Sequence, residues 1–109
     1  MDPMDLVFKA LGNPDRRRIL DIVKNDAGCN VNEVCRWFET SRIAVMKNLR
    51  ILEESGLLIS KKEGRNRELY FNVIPIQMIY DRWSTEYSAL WAEKLTRLKY
   101  RVESEEKDE

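Results

Sequence analysis

The chain has 109 residues, 43% of them hydrophobic and 35% charged, which is enough apolar material for one modest core and too little for a second domain. Its 19 Lys and Arg balance 19 Asp and Glu, so net charge singles out no anionic partner and only the placement of charge is informative. No segment approaches the roughly 18 apolar residues of a membrane span, the N-terminus has no signal-like apolar run, and two cysteines are too few for a disulfide framework, so the expectation is a soluble cytoplasmic protein without membrane partners.

In chain order, Leu6, Val7, Ala10 and Leu11 make a short amphipathic helix that stops at Gly12. Asn13 followed by Pro14 is an N-cap with proline at the first helical position. It opens a second helix whose Ile19, Leu20, Ile22 and Val23 form an apolar face and which ends before Asp26-Ala27-Gly28. Asn30 with Glu33 fits a capping box and starts a short third helix carrying Val34, Trp37 and Phe38. After a break at Glu39-Thr40, Ser41 caps a fourth helix from Arg42 to about Ser55. Val45, Leu49 and Leu52 share one face of it, and Gly56 is its left-handed C-cap.

The period then changes from helical to alternating. Leu57 to Glu63 reads as a strand, Gly64-Arg65-Asn66 as a tight connection, and Arg67 to Val73 as a second strand with Leu69, Phe71 and Val73 on one face. Pro75 opens a long helix to about Val102, in which Ile76, Ile79, Tyr80, Trp83, Tyr87, Leu90, Trp91, Leu95, Leu98 and Val102 recur at spacings of three and four. Such a helix is about 40 Å long at 1.5 Å per residue, more stripe than so small a domain covers by itself, so part of it needs a partner. Residues 103–109 hold five acids and Lys107 and read as a disordered acidic tail after a single domain over 1–102. Without that tail 18 basic side chains face 14 acidic ones, and the excess lies between Arg36 and Arg67, where eight basic residues face four acids.

Short helices followed by a hairpin, with the third and fourth helices close together, are the order of a winged helix-turn-helix, a mainly α fold with a small β-hairpin. The fourth helix is then the reader. Stepping 100° per residue from a buried Val45 puts Ile43, Lys47 and Arg50 opposite it, with Arg42 and Met46 on the flank. Cationic and apolar side chains mixed on one face suit the major groove, where they meet phosphates, guanine edges and thymine methyls. Lys61, Lys62, Arg65, Asn66 and Arg67 gather at the hairpin tip, and contacts from there to a DNA backbone are electrostatic and salt-sensitive. For any one of these cations, solubility is an equally good reason to be exposed; the joint arrangement favours double-stranded DNA as the partner.

Two stretches resemble the ArsR (ArsR/SmtB) family of bacterial regulators: Phe8-Lys9-Ala10-Leu11-Gly12-Asn13-Pro14-Asp15-Arg16-Arg17-Arg18-Ile19-Leu20, similar to its opening signature, and Ser41-Arg42-Ile43-Ala44-Val45-Met46-Lys47-Asn48-Leu49-Arg50-Ile51-Leu52-Glu53-Glu54-Ser55-Gly56-Leu57, similar to its recognition helix and following turn. The segment from Pro75-Ile76 through Tyr80-Asp81-Arg82-Trp83 to Tyr87 and Trp91 is similar to a branch that lacks metal ligands and is often encoded beside START-like proteins. The resemblance implies a homodimer paired through its first and last helices, bound to an inverted-repeat operator and often to its own promoter. Leu6, Ile79, Trp83, Tyr87, Leu90, Trp91, Leu95 and Leu98 are then the dimer interface. Ser41, Arg42, Ile43, Met46, Lys47, Arg50, Lys62, Arg65, Asn66 and Arg67 are the DNA-binding candidates. Asn48 joins them with its role open, because the family usually has His there.

The chain contains no histidine, and Trp37 stands where metal-sensing relatives carry the second cysteine of a Cys-x-Cys pair, so no metal site and no cofactor is expected. Cys35 reads as a small buried hydrophobe, with a thiol-redox role for Cys29 and Cys35 as the alternative. Trp83, Tyr87 and Trp91 at helical spacing read as core or interface ahead of a ligand pocket. No nucleophile with a base, phosphate-cradling glycine loop or paired carboxylates appears, so no enzyme is expected. The reading is a transcriptional repressor with no identifiable effector. Its alternatives are a ligand- or redox-responsive derepressor on the same scaffold and a protein-interaction module that has lost DNA binding.

Overall fold

The computed structural model describes residues 2–84 and 89–107. It contains α1 (Pro3–Leu11), α2 (Pro14–Asn25), α3 (Val31–Cys35), α4 (Arg42–Glu54), β1 (Leu58–Glu63), β2 (Asn66–Phe71), α5 (Ile74–Ser84) and α6 (Ala89–Lys107). The predicted winged helix-turn-helix order is present. Contacts divide the chain into two compact units, Met1–Met78 and Ile79–Glu109.

In the first unit the polar caps set the helix starts. Asn13 Oδ1 accepts from the backbone N–H of Asp15 and Arg16 at 2.9 and 3.1 Å, Asn30 Oδ1 from Glu33 N–H at 2.9 Å, and Ser41 Oγ from Ala44 N–H at 3.2 Å. Each satisfies donors that the first helical turn leaves without a partner. Gly56, at φ +82°, turns the chain out of α4 into the hairpin. The core gathers one face of each of the first four helices: Val7 and Ala10 of α1, Ile19, Leu20 and Val23 of α2, Val31 and Val34 of α3, and Val45, Leu49 and Leu52 of α4. Leu57, Leu58 and Leu69 close it from the hairpin side.

β1 and β2 pair antiparallel, with Leu58 opposite Phe71 and Glu63 opposite Asn66. The connection is two residues long, Gly64-Arg65, one shorter than expected, and Asn66 is already in β2. A positive φ at Gly64 (+62°) and none at Arg65 is the pattern of a type II′ turn. The other edge of β2 is held by the loop before α3: Gly28 N–H donates to Leu69 O, and Leu69 N–H to Cys29 O, both at 2.8 Å. A two-stranded ribbon alone is marginal in water, and these bonds tie it to the body.

Several expectations change. α3 stops at Cys35, so Trp37 is not on that helix and is 59% exposed. Cys29 is the buried cysteine, while Cys35 is half-buried, because β2 covers the loop that carries Cys29. Val73 lies past the end of β2 and is about half exposed, so it does not continue the inward face of Leu69. Where one long helix was expected, two are described, with residues 85–88 outside the description.

In the second unit α6 runs through Glu103 to Lys107, so the start of the acidic segment is described as helix. Along it Lys99 lies 4.0 Å from Glu103 and Arg101 3.9 Å from Glu105, both one turn apart. No helix among the described residues is long and apolar enough to cross a membrane.

Candidate nucleic-acid interface

α4 has two unlike sides. Val45, Leu49 and Leu52 are buried, and opposite them Ile43 is 83% exposed beside the exposed Lys47 and Arg50. An isoleucine so exposed contributes nothing to the core of this chain. Arg42 is exposed at the start of the helix and donates to Asn32 Oδ1 of α3, a bond that ties the two helices of the motif together. Arg42, Ile43, Met46, Lys47 and Arg50 form one continuous surface.

Between α3, α4 and the wing lies a cleft of about 120 Å³, lined by Asn30, Val31, Asn32, Arg42, Met46, Arg65, Asn66 and Arg67. The wing tip thus stands beside the reader. Lys62, Arg65 and Asn66 are exposed there. Lys61 also projects from the wing but pairs with Glu63 at 3.2 Å.

Arg67 lines the same cleft as Arg65 and Asn66 and also pairs with the body. Its Nη2 donates to Glu53 Oε1 of α4 at 2.6 Å and to Ser60 Oγ at 2.9 Å, and both charged side chains are partly shielded. Strand alternation explains this, since Arg67 and Leu69 project to the same face of β2, toward the body. Arg67 therefore braces the wing against the reader.

Asn48 is half-buried on the other flank of α4, where its Oδ1 accepts from Arg16 Nη1 at 3.3 Å. Arg16, Asn32 and Glu53 are the residues that sequence reasoning missed. Their partners lie 32, 10 and 14 positions away, and only the fold brings such pairs together.

Burial raises the Cys29 thiol pKa, and the charges of Asp26 and Glu33 push it the same way. A thiol held protonated is a weak nucleophile. Cys29 and Cys35 are both free. In the expected dimer surface, Leu6 is half-buried on α1, Ile79 is partly and Trp83 about half exposed on α5, and Leu95 and Leu98 are about half exposed on α6. Leu90 and Trp91 belong to α6, and Tyr87 lies outside the described residues.

A family profile described as a helix-turn-helix domain matches residues 11–60, the span from the end of α1 into β1. The uncharacterized HTH-type transcriptional regulator YuzN of Bacillus subtilis is 35% identical over 85 residues, which cover 72% of this chain and 92% of that protein. The transcriptional repressor SdpR of the same organism is 29% identical over 62 residues, covering 57% of this chain and 68% of its own. Among solved structures, the ArsR family transcriptional regulator RHA00566 superposes with a TM-score of 0.70 at 27% identity, covering 84% of this chain and 98% of that one. The homodimeric winged helix-turn-helix domain Mb0332 of Mycobacterium bovis shares the fold, with a TM-score of 0.62 at 21% identity over 80% of this chain and 86% of its own.

Proposed function

The chain belongs to the HTH-type transcriptional regulators, and we propose that it is an ArsR-type member that represses transcription in the cytoplasm as a homodimer bound to an inverted repeat in duplex DNA. The observation that carries this reading is the exposed outer face of α4. An 83% exposed Ile43 between Lys47 and Arg50 has no role in folding and matches a groove floor of thymine methyls walled by phosphates. Arg42 and Met46 extend that face toward the wing, where Arg65, Asn66 and Arg67 line the same cleft and, with the exposed Lys62, are proposed to contact the DNA backbone. Ser41 keeps the first turn of α4 in place.

Dimerisation is proposed through Leu6 on α1 and Ile79, Trp83, Leu90, Trp91, Leu95 and Leu98 on α5 and α6. The half-exposed apolar side chains of α5 and α6 and the homodimeric state of Mb0332 support it. Two readers related by a two-fold axis enter successive major grooves about 34 Å apart, which calls for half-sites one helical turn apart. SdpR, a repressor, supports the direction of regulation. Binding near the chain's own promoter belongs to the same proposal.

Fluorescence anisotropy with a labelled duplex from the region upstream of the coding sequence tests the reading. Lys47→Glu with Arg50→Glu replaces two attractions by two repulsions on the reading face, and a loss of affinity of at least about 100-fold is expected. Equal binding by the doubly reversed and the original chain overturns it.

A further inference from the structure

We propose that Arg16 is a positioning residue for DNA recognition: it fixes the Asn48 amide so that Nδ2 faces outward from the flank of α4 as a donor to a backbone phosphate oxygen. The proposal rests on the reading of α4 as the DNA reader.

The argument starts at the end of α1. The last carbonyls of a helix have no partner within it, and Arg16, in the first turn of α2, supplies one. Its Nε donates to Ala10 O at 2.8 Å and its Nη2 to Lys9 O at 2.9 Å. Two bonds from one planar fork to successive carbonyls hold the guanidinium in a single orientation. The remaining nitrogen, Nη1, is thereby aimed at Asn48, 3.3 Å from Oδ1.

A guanidinium has donors only, so the amide it meets turns its oxygen inward. The Asn48 nitrogen then has one direction left. Among the described residues no buried side-chain nitrogen or oxygen lacks a partner and none accepts a hydrogen bond from Nδ2 of the half-buried Asn48, so Nδ2 opens to the surface. The amide is presented as a fixed donor rather than one free to flip.

Its place on α4 selects the acceptor. Counted at 100° per residue, Asn48 lies about 60° from the buried Val45, on the side away from Arg42 and Met46, and about 140° from Ile43. A helix some 10–12 Å across nearly fills a major groove about 12 Å wide. Its outermost residues therefore meet base edges, while its flanks meet the strands that wall the groove. On that flank a phosphate oxygen is the acceptor at hand.

Full-length protein, a fluorescein-labelled duplex selected by it from a randomised pool, and anisotropy across a salt series test this. Arg16→Met and Asn48→Leu are each expected to weaken binding about tenfold, as loss of a hydrogen bond to a charged group does. The double variant is expected within about twofold of the weaker single one, because Arg16 acts through Asn48. Arg16→Met is further expected to leave the salt slope unchanged, whereas a cation touching phosphate directly changes it by about one on removal. Multiplying losses in the double variant, or a slope reduced by about one in Arg16→Met, overturns the proposal.

Arg16→Met also removes the side-chain donors to Ala10 O and Lys9 O, so Asn48→Asp provides a second arm. It keeps an acceptor for Arg16 and has no donor for phosphate, and it is expected to bind no better than Asn48→Leu. Wild-type affinity in either Asn48 variant overturns the proposal while leaving the DNA-binding reading intact. Failure of the unaltered chain to bind any duplex overturns that reading itself.

Discussion

Ile43 and Val45 are two positions apart on one helix, one 83% and the other 2% exposed, and that contrast separates what folds the chain from what it does. Leu49→Ala, at a site with almost no accessible surface, is expected to cost about 2–5 kcal/mol in urea unfolding through lost burial and the cavity left behind. Ile43→Ala is expected to change stability by less than about 0.5 kcal/mol and to weaken duplex binding. Cys29 makes a different prediction. Its pKa is raised by burial first and by the Asp26 and Glu33 charges second, so the native state resists thiol ionisation more than the unfolded state does. The stabilising difference is complete below the unfolded thiol value, about 8.5, and is lost as pH rises from there through the higher native value. Urea midpoints are expected to fall over that window less steeply in Cys29→Ala than in the original chain. Iodoacetamide is expected to label the half-buried Cys35 before Cys29 in the native protein, and mass spectrometry reads the order. Of the residue-level readings, caps and core were legible because Asn13, Ser41 and the spacing of Val45, Leu49 and Leu52 act within one or two turns. Arg67 and Asn48 were not, because their partners are brought near by folding alone.

At the scale of elements, the wing depends on the body. Gly28 and Cys29 hold β2 on one edge, Asn72 Nδ2 donates to Gly56 O at 2.9 Å where the hairpin leaves, and Arg67 bridges Glu53 and Ser60. Arg67→Met is expected to cost about 1 kcal/mol or less, since both charges remain partly in solvent, while loosening the wing against the reader and lowering duplex affinity. Gly56→Ala is a sharper test of the joint between α4 and β1. A Cβ there meets only Pro75 Cγ at 3.9 Å, so space is no obstacle, but φ is +82°. The expected loss is about 1–2 kcal/mol of backbone strain, read as a lower Tm with an unchanged spectrum. Element order was readable because Gly56 and Gly64 mark the turns and the apolar period switches from helical to alternating between them. Three boundaries were not: α3 is shorter than its apolar residues imply, the hairpin loop is one residue shorter, and α6 continues past Val102. The first two are decided by something periodicity ignores, respectively where backbone bonds run out and which turn type fits the strand twist.

For the whole molecule, charge is partitioned along the chain more than it is summed. The neutral total of 19 against 19 conceals a basic stretch from Arg36 to Arg67, which folds into α4 and the wing, and an acidic end on α6. The half-exposed Trp83, Leu95 and Leu98 are proposed to be covered by a second copy, and Leu95→Glu with Leu98→Glu is expected to convert a dimer into a monomer in sedimentation velocity. Hydroxyl-radical footprinting on a selected duplex addresses the central claim most directly, because it reports the groove contacts and the two-fold symmetry together. Two equal protected patches about one helical turn apart, related by a dyad and lost in the Lys47→Glu, Arg50→Glu chain, are the result predicted. A single unpaired patch, or a footprint unaffected by those two substitutions, contradicts it.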